Sequence, residues 1–187
     1  MTPSHYAASY GHIYPYIILN NDANILENSV DNYGYTSLHI AALNGKTSVL
    51  KFILLHNNST PNVLDNFGRT PLSLAAMNGH SQAVKCLLSH ESVDPNIRDK
   101  NDMTPFLLSA QNGRSNALKV FLESSGIDYN ARANFGMSAL HFAAESGSCQ
   151  SVGVLLQSSI FPRTITDYIQ RTPAEIAKNE QIIDLLQ

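Results

Sequence analysis

Gly34-Tyr35-Thr36-Ser37-Leu38-His39-Ile40-Ala41-Ala42 returns 34 residues later as Gly68-Arg69-Thr70-Pro71-Leu72-Ser73-Leu74-Ala75-Ala76. The interval holds along the whole chain. Thr2, Thr36, Thr70, Thr104, Ser138 and Thr172 form one column, and Pro3, Ser37, Pro71, Pro105, Ala139 and Pro173 form the next. A pair of small residues follows in each unit (Ala7-Ala8, Ala41-Ala42, Ala75-Ala76, Ser109-Ala110, Ala143-Ala144), then Gly11, Gly45, Gly79, Gly113 and Gly147. With Gly34, Gly68 and Gly136, eight of the ten glycines fall in two columns, so the sequence is an internal repeat.

Each column has a physical reason. A Thr or Ser hydroxyl at a helix start accepts an orphan backbone N–H, and proline at the first helical position loses no hydrogen bond. The small pair lets a first helix lie close to its neighbours, and glycine suits the left-handed residue that ends it. A second helix is read from three columns expected to be buried. They are Tyr16, Leu50, Val84, Leu118 and Val152; Ile18, Phe52, Cys86, Val120 and Val154; and Leu19, Ile53, Leu87, Phe121 and Leu155. Lys51, Lys85 and Lys119 mark its solvent side. Asp31, Asp65 and Asp99 precede tight turns that read as β-hairpin tips.

The repeated segments resemble the ankyrin signature, Gly-x-Thr-Pro-Leu-His-x-Ala-Ala, over essentially the whole chain. The resemblance implies a mainly α fold, a solenoid of stacked helix-turn-helix units joined by β-hairpin loops. One domain over 1–187 is expected, with units of about 2–35, 36–69, 70–103, 104–137 and 138–171 and a truncated C-terminal cap at 172–187. The usual ankyrin period is about 33 residues, and the spare residue is placed between the second helix and the hairpin. A 34-residue period also suits tetratricopeptide repeats, but the chain has no tryptophan and places proline at the helix start. Asp102 and Gln170 stand where other units have the hairpin glycine, so those turns are expected to differ in type. Leu107 and Ser73 stand at the motif histidine position. Lys178 suits a solvent-facing end, whereas Met1-Thr2-Pro3 shows no comparable cap, so the sequence is expected to be a piece of a longer protein.

Composition bounds the function. The 187 residues are 43% hydrophobic and 14% charged, with a formal net charge of −3. No basic run provides an electrostatic footprint for nucleic acid, and no apolar run approaches the roughly 18 residues that span a bilayer. Two cysteines, Cys86 and Cys149, fit a reducing compartment, so an intracellular, cytoplasmic location is expected, with the nucleus as the alternative. No phosphate-binding glycine loop and no Cys–His–acid arrangement is recognisable. No enzyme activity, cofactor or small-molecule substrate is expected.

The seven histidines are explained mainly by the repeat. His5, His39 and His141 occupy the motif column, where the resemblance implies bonds to the motif Thr or Ser and nearby backbone. His12 and His80 fall in inter-helix turns, and His56 and His90 near helix ends. They are spread along the stack, which disfavours a metal site needing about four converging ligands. Cys86 reads as a small core residue. Leu122 through Asp128-Tyr129-Asn130-Ala131 resembles ankyrin sequences hydroxylated on asparagine, although an Asn130 that bonds the turn backbone is the preferred reading.

The resemblance implies a protein partner, held in a concave groove lined by hairpin tips and first helices. The residues expected to line it are Tyr10, Tyr33, Tyr35, Leu43, Phe67, Arg69, Met77, Met103, Gln111, Phe135, Met137, Glu145 and Arg171. Aromatic and Met residues at repeat spacing predict one continuous apolar stripe. The alternatives are a spacer or scaffold segment of a larger multidomain or channel protein, and a substrate adaptor for a modifying enzyme.

Overall fold

The computed structural model describes residues 1–20, 29–56 and 60–187, without the side chains of Asn20 and His56. Among the described residues five helix pairs follow one another: α1 (Pro3–Tyr10) with α2 (Ile13–Asn20), α3 (Ser37–Leu43) with α4 (Thr47–His56), α5 (Pro71–Asn78) with α6 (Ser81–Leu88), α7 (Pro105–Gln111) with α8 (Ser115–Leu122), and α9 (Ala139–Ser146) with α10 (Cys149–Leu156). A 3-10 turn, Ala174–Ile176, and α11 (Glu180–Leu186) close the described stack. First helices pack on first helices and second on second, so the core runs as a seam along the solenoid.

The helix starts form as the columns require. Thr36 Oγ1 accepts the His39 N–H at 3.4 Å, Thr70 Oγ1 the Ser73 N–H at 3.1 Å and Thr104 Oγ1 the Leu107 N–H at 3.2 Å. In return the His39 ring Nδ1 accepts the Thr36 N–H at 3.2 Å, a reciprocal cap. His5 and His141 do the same for Thr2 and Ser138. Leu107 leaves α7 with only one half of the cap.

Burial corrects one expected column. Tyr16, Leu50, Val84, Leu118 and Val152 are buried, as are Ile53, Leu87, Phe121 and Leu155, with Leu19 half-buried. In the remaining column only Val154 is buried; Phe52, Cys86 and Val120 are half-buried and Ile18 is exposed. At about 100° per residue, Val49, Leu50 and Ile53 share one sector while Phe52 lies on its flank. Val49, Ala83, Ala117 and Ser151, all fully buried, complete the inner face instead.

The connections carry hairpin hydrogen bonds without strands; among the described residues the sole bridge joins Ala133 to Met137. Asp65 shows how a tip is built. Its backbone N–H donates to the Arg69 carbonyl, and its Oδ1 accepts the N–H groups of Phe67 and Arg69 at 2.8 and 2.9 Å. Asp31, Asp99 and Asp167 make the same pair of bonds. Asp102 and Gln170 adopt the left-handed φ of the glycines they replace, 63° and 67°, and close the same turn. The expected difference in type therefore lies elsewhere. Ala133 stands in the Asp column and has no side-chain acceptor; its backbone carbonyl takes the Met137 N–H at 2.9 Å instead, and the following turn takes positive φ at Asn134, Phe135 and Gly136.

Candidate functional site

The tips 32–34, 66–68, 100–102, 134–136 and 168–170 are tied to one another and to the helices beneath. Asn66 N–H donates to the Tyr33 carbonyl, Lys100 N–H to Phe67 and Tyr168 N–H to Phe135, at 2.8–3.0 Å. Among the described residues no such bond joins the third tip to the irregular fourth. There Arg98 spans the gap, donating to the Asp102 carbonyl at 3.0 Å and the Arg132 carbonyl at 2.8 Å. Below the tips, His39 Nε2 donates to the Arg69 carbonyl at 3.1 Å and His141 Nε2 to the Arg171 carbonyl at 2.9 Å. A carbonyl only accepts, so the proton sits on Nε2 and Nδ1 is free to accept the cap N–H. Burial lowers the pKa of His5, His39 and His141, keeping each imidazole neutral.

The second tip carries a preorganised cluster. Arg69 Nε donates to the buried Asp65 carboxylate at 2.8 Å, and an Nη donates to the Tyr35 hydroxyl at 2.7 Å. The guanidinium lies 4.6 Å from the Phe67 ring centroid, within cation–π range, and 3.8 Å from Met77 Sδ. Tyr35 stacks on His39 with centroids 5.8 Å apart, and Tyr33 leans on Tyr35 at 5.9 Å. Burial pushes the Tyr35 phenol above its usual pKa and Arg69 pulls it back, so the hydroxyl stays protonated. Tyr33 and Phe67 remain 61% and 50% exposed on this braced base.

A second apolar cluster sits at the far tips. Phe135, Tyr168 and Ile169 are 70%, 73% and 60% exposed. The Tyr168 ring lies across Gly136, where a Cβ would sit 2.4 Å from it, so the close approach needs glycine. Arg171 pairs with Asp167 at 2.8 Å. Burial alone would raise the Asp167 pKa, but the Arg171 N–H, its guanidinium and the Ile169 N–H outweigh it and hold the carboxyl low.

Other expected groove residues are dispersed. Tyr10 is exposed beside His12, Leu43 is half-buried, and Gln111 and Glu145 are exposed late on α7 and α9. Met103 and Met137 are not groove residues: they are 1% and 6% exposed and belong to the core. They share a column with Tyr35 and Arg69, whose polar ends draw the side chain outward; methionine has no such end and turns in. Between the clusters the third tip is Lys100-Asn101-Asp102, so the expected continuous stripe is divided. Tyr168 was not among the expected groove residues; its signal in the sequence is an aromatic in a column otherwise held by Asn32, Asn66, Lys100 and Asn134.

Asn130 departs from its preferred reading for a covalent reason. Asn62 Oδ1 accepts the Asp94 N–H at 2.9 Å and Asn96 Oδ1 the Asp128 N–H at 2.8 Å. The corresponding donor for Asn130 is Pro162, which has no N–H; the Asn130 backbone N–H donates to Asp128 Oδ1 at 3.0 Å, but its exposed side-chain amide has no hydrogen-bond partner among the described residues. Cys86 is half-buried, and burial raises its thiol pKa, which disfavours the reactive thiolate. Cys149 Sγ approaches Gln181 Oε1 at 3.5 Å. No described helix is long and apolar enough to cross a membrane.

A row of helix pairs with their tips along one edge defines a helical repeat solenoid. The family model described as ankyrin repeats (3 copies) matches residues 52–133 and 91–166, and that described as ankyrin repeats (many copies) matches 18–75. The chain belongs to the ankyrin repeat family. Ankyrin repeats are generally protein-interaction modules and typically non-enzymatic. No curated protein was found to match this sequence.

Proposed function

We propose that this chain holds a partner protein through its hairpin tips, with Tyr33 and Phe67 as one set of anchors and Phe135, Tyr168 and Ile169 as another. The observation that carries the reading is the exposure of aromatic rings on a braced base. Large apolar side chains on a rigid support lose little entropy on binding and are typical interface anchors. Tyr35 and Arg69 act as the support, their polar groups already paired with each other and with Asp65. The Lys100-Asn101-Asp102 tip faces a polar portion of the partner.

The test is affinity capture by the intact chain beside a Tyr33→Ala, Phe67→Ala variant, with thermal unfolding of both. Loss of the captured protein with a melting temperature within a few degrees of wild type supports the reading. Unchanged capture contradicts it, and a large drop in melting temperature assigns these rings to the stack itself. Met103→Ala is unsuitable for this purpose, because its side chain is core.

A further inference from the structure

The helix pairs 37–56, 71–88 and 105–122 contain five Lys or Arg residues and no Asp or Glu. Between positions 36 and 137 every carboxylate lies in a connecting segment instead. Among the described residues none of the five cations, Lys46, Lys51, Lys85, Arg114 and Lys119, pairs with a carboxylate. Lys51, Lys85 and Lys119 stand one period apart, exposed on α4, α6 and α8, which pack in that order. Lys85 and Lys119 lie in the last turns of their helices, where a cation suits the helix dipole. Lys51 lies midway along α4, so the dipole does not account for the column.

At the next step the column holds Gly153, and a Cβ there would meet nothing within 4 Å. The space opens a groove of about 490 Å³ between α8 and α10, bordered by Lys119, Asn116, Gln150 and Gln157. Ser115 Oγ donates to Gln150 Oε1 at 3.4 Å. The Gln150 amide N–H groups and the Lys119 ammonium are thereby left as donors without a partner among the described residues. The groove continues along Leu122 and Val154. A glutamate, with two acceptor oxygens on an apolar stem, matches this lining.

We propose that this face binds an acidic helix of a partner protein, one glutamate seated beside Lys119 and Gln150 and two more opposite Lys85 and Lys51. Packed helices lie about 8–10 Å apart, and seven residues of an α-helix rise about 10.5 Å. Carboxylates at every seventh position therefore meet successive lysines. An extended strand returns to the same face about every 6.7 Å and falls out of step. Nucleic acid is a poorer match, because a charge about every 3.4 Å along each strand outnumbers the column. Glu91 and Glu123, exposed just beyond α6 and α8, also repel a continuous polyanion. The face shares no residue with the tip clusters.

The test is an NMR titration of the isotope-labelled full chain with a synthetic helix rich in alanine and glutamine. The peptide has about 22 residues, enough to form an isolated helix, and carries glutamate at three positions seven apart. A dissociation constant of about 0.1–1 mM is expected, with shifts at Lys119, Gln150 and Gly153. Binding should weaken at least about threefold as NaCl rises from about 50 to 300 mM. Lys119→Gln and, separately, Gly153→Glu are expected to lower affinity at least about fivefold, and Gly153→Ala to leave it unchanged. All three should keep the wild-type circular dichroism, because Lys119 is exposed and a Cβ at Gly153 is unobstructed. The inference is overturned by an absence of shifts at about 2 mM peptide, by equal affinity for the peptide with glutamine in place of glutamate, or by unchanged binding in both Lys119→Gln and Gly153→Glu. Tighter binding of a DNA duplex than of the peptide also overturns it and assigns the face to nucleic acid.

Discussion

Arg69 and Arg171 occupy the same place on two tips and pair with equivalent aspartates, Asp65 and Asp167, yet their side chains are 16% and 41% exposed. The difference comes from the preceding tip. The residue 34 positions before Arg69 is Tyr35, whose hydroxyl accepts from the guanidinium. The residue 34 positions before Arg171 is Met137, which is buried and has no hydroxyl to offer the guanidinium. Phe67 stacks on Arg69, whereas Ile169 holds the equivalent place beside Arg171 and has no π face. One motif therefore yields a fixed arginine within an aromatic base and, three repeats on, a freer one at an exposed edge. In a solenoid the neighbour one period away decides what a conserved-looking local pattern does.

The largest effect that can break this contrast lies in the aspartates. Asp65→Ala removes the buried partner of Arg69 and leaves two tip N–H groups without their acceptor. A loss of about 3–5 kcal/mol is expected, as for broken buried ion pairs. Asp167→Ala is expected to cost less, because water can solvate Arg171. Urea unfolding of the two variants side by side checks this, and equal losses would remove the distinction.

Acid should loosen both tips by the same route. His39 and His141 each tie a helix start to the carbonyl of the tip arginine, and burial lowers their pKa from 6.5. The unfolded chain then binds protons more readily than the folded one. Stability is full above pH 6.5 and is lost as pH falls from there through the folded pKa values, by about 1.4 kcal/mol for each pH unit of depression. Denaturation midpoints at pH 7.5 and 5.5 should differ in wild type and differ less in His39→Gln and His141→Gln. Asp167 adds a separate, more acidic step: its contribution is present above its ordinary value of 3.8 and is lost as pH falls through the lowered folded one.

Tyr35→Phe is the mildest probe. It deletes one hydroxyl and its bond to Arg69 while keeping the ring on His39. A loss of about 0.5–1.5 kcal/mol is expected. Faster exchange of the Arg69 guanidinium protons, with Arg171 unchanged, would show that the phenol is what distinguishes the two tips.

The repeat made most of this fold legible, because capping, helix ends and the buried columns around Leu50 and Ile53 follow from local rules applied at one interval. What escaped were consequences of single exceptions. Ala133 carries no motif of its own, yet losing the carboxylate that Asp65 and Asp99 supply is what reshapes the following turn. Asp102 and Gln170 replace a glycine, the more conspicuous change, yet the intact aspartate holds their turns in the usual form. Met103 and Met137 were expected outside by analogy of column, and their apolar ends took them inside. Pro162 silences the bond that Asn130 should make, a relation between two units that neither segment shows alone.

A partner held at the tips, as proposed, would bind at two apolar clusters separated by a polar tip. The most direct test of this is calorimetric titration of the captured partner against Phe67→Ala, Asn101→Ala and Phe135→Ala. The account predicts losses of at least about tenfold, roughly 1.4 kcal/mol, for Phe67→Ala and Phe135→Ala, with Asn101→Ala close to wild type. Full affinity in both phenylalanine variants, or a loss confined to Asn101→Ala, would contradict it.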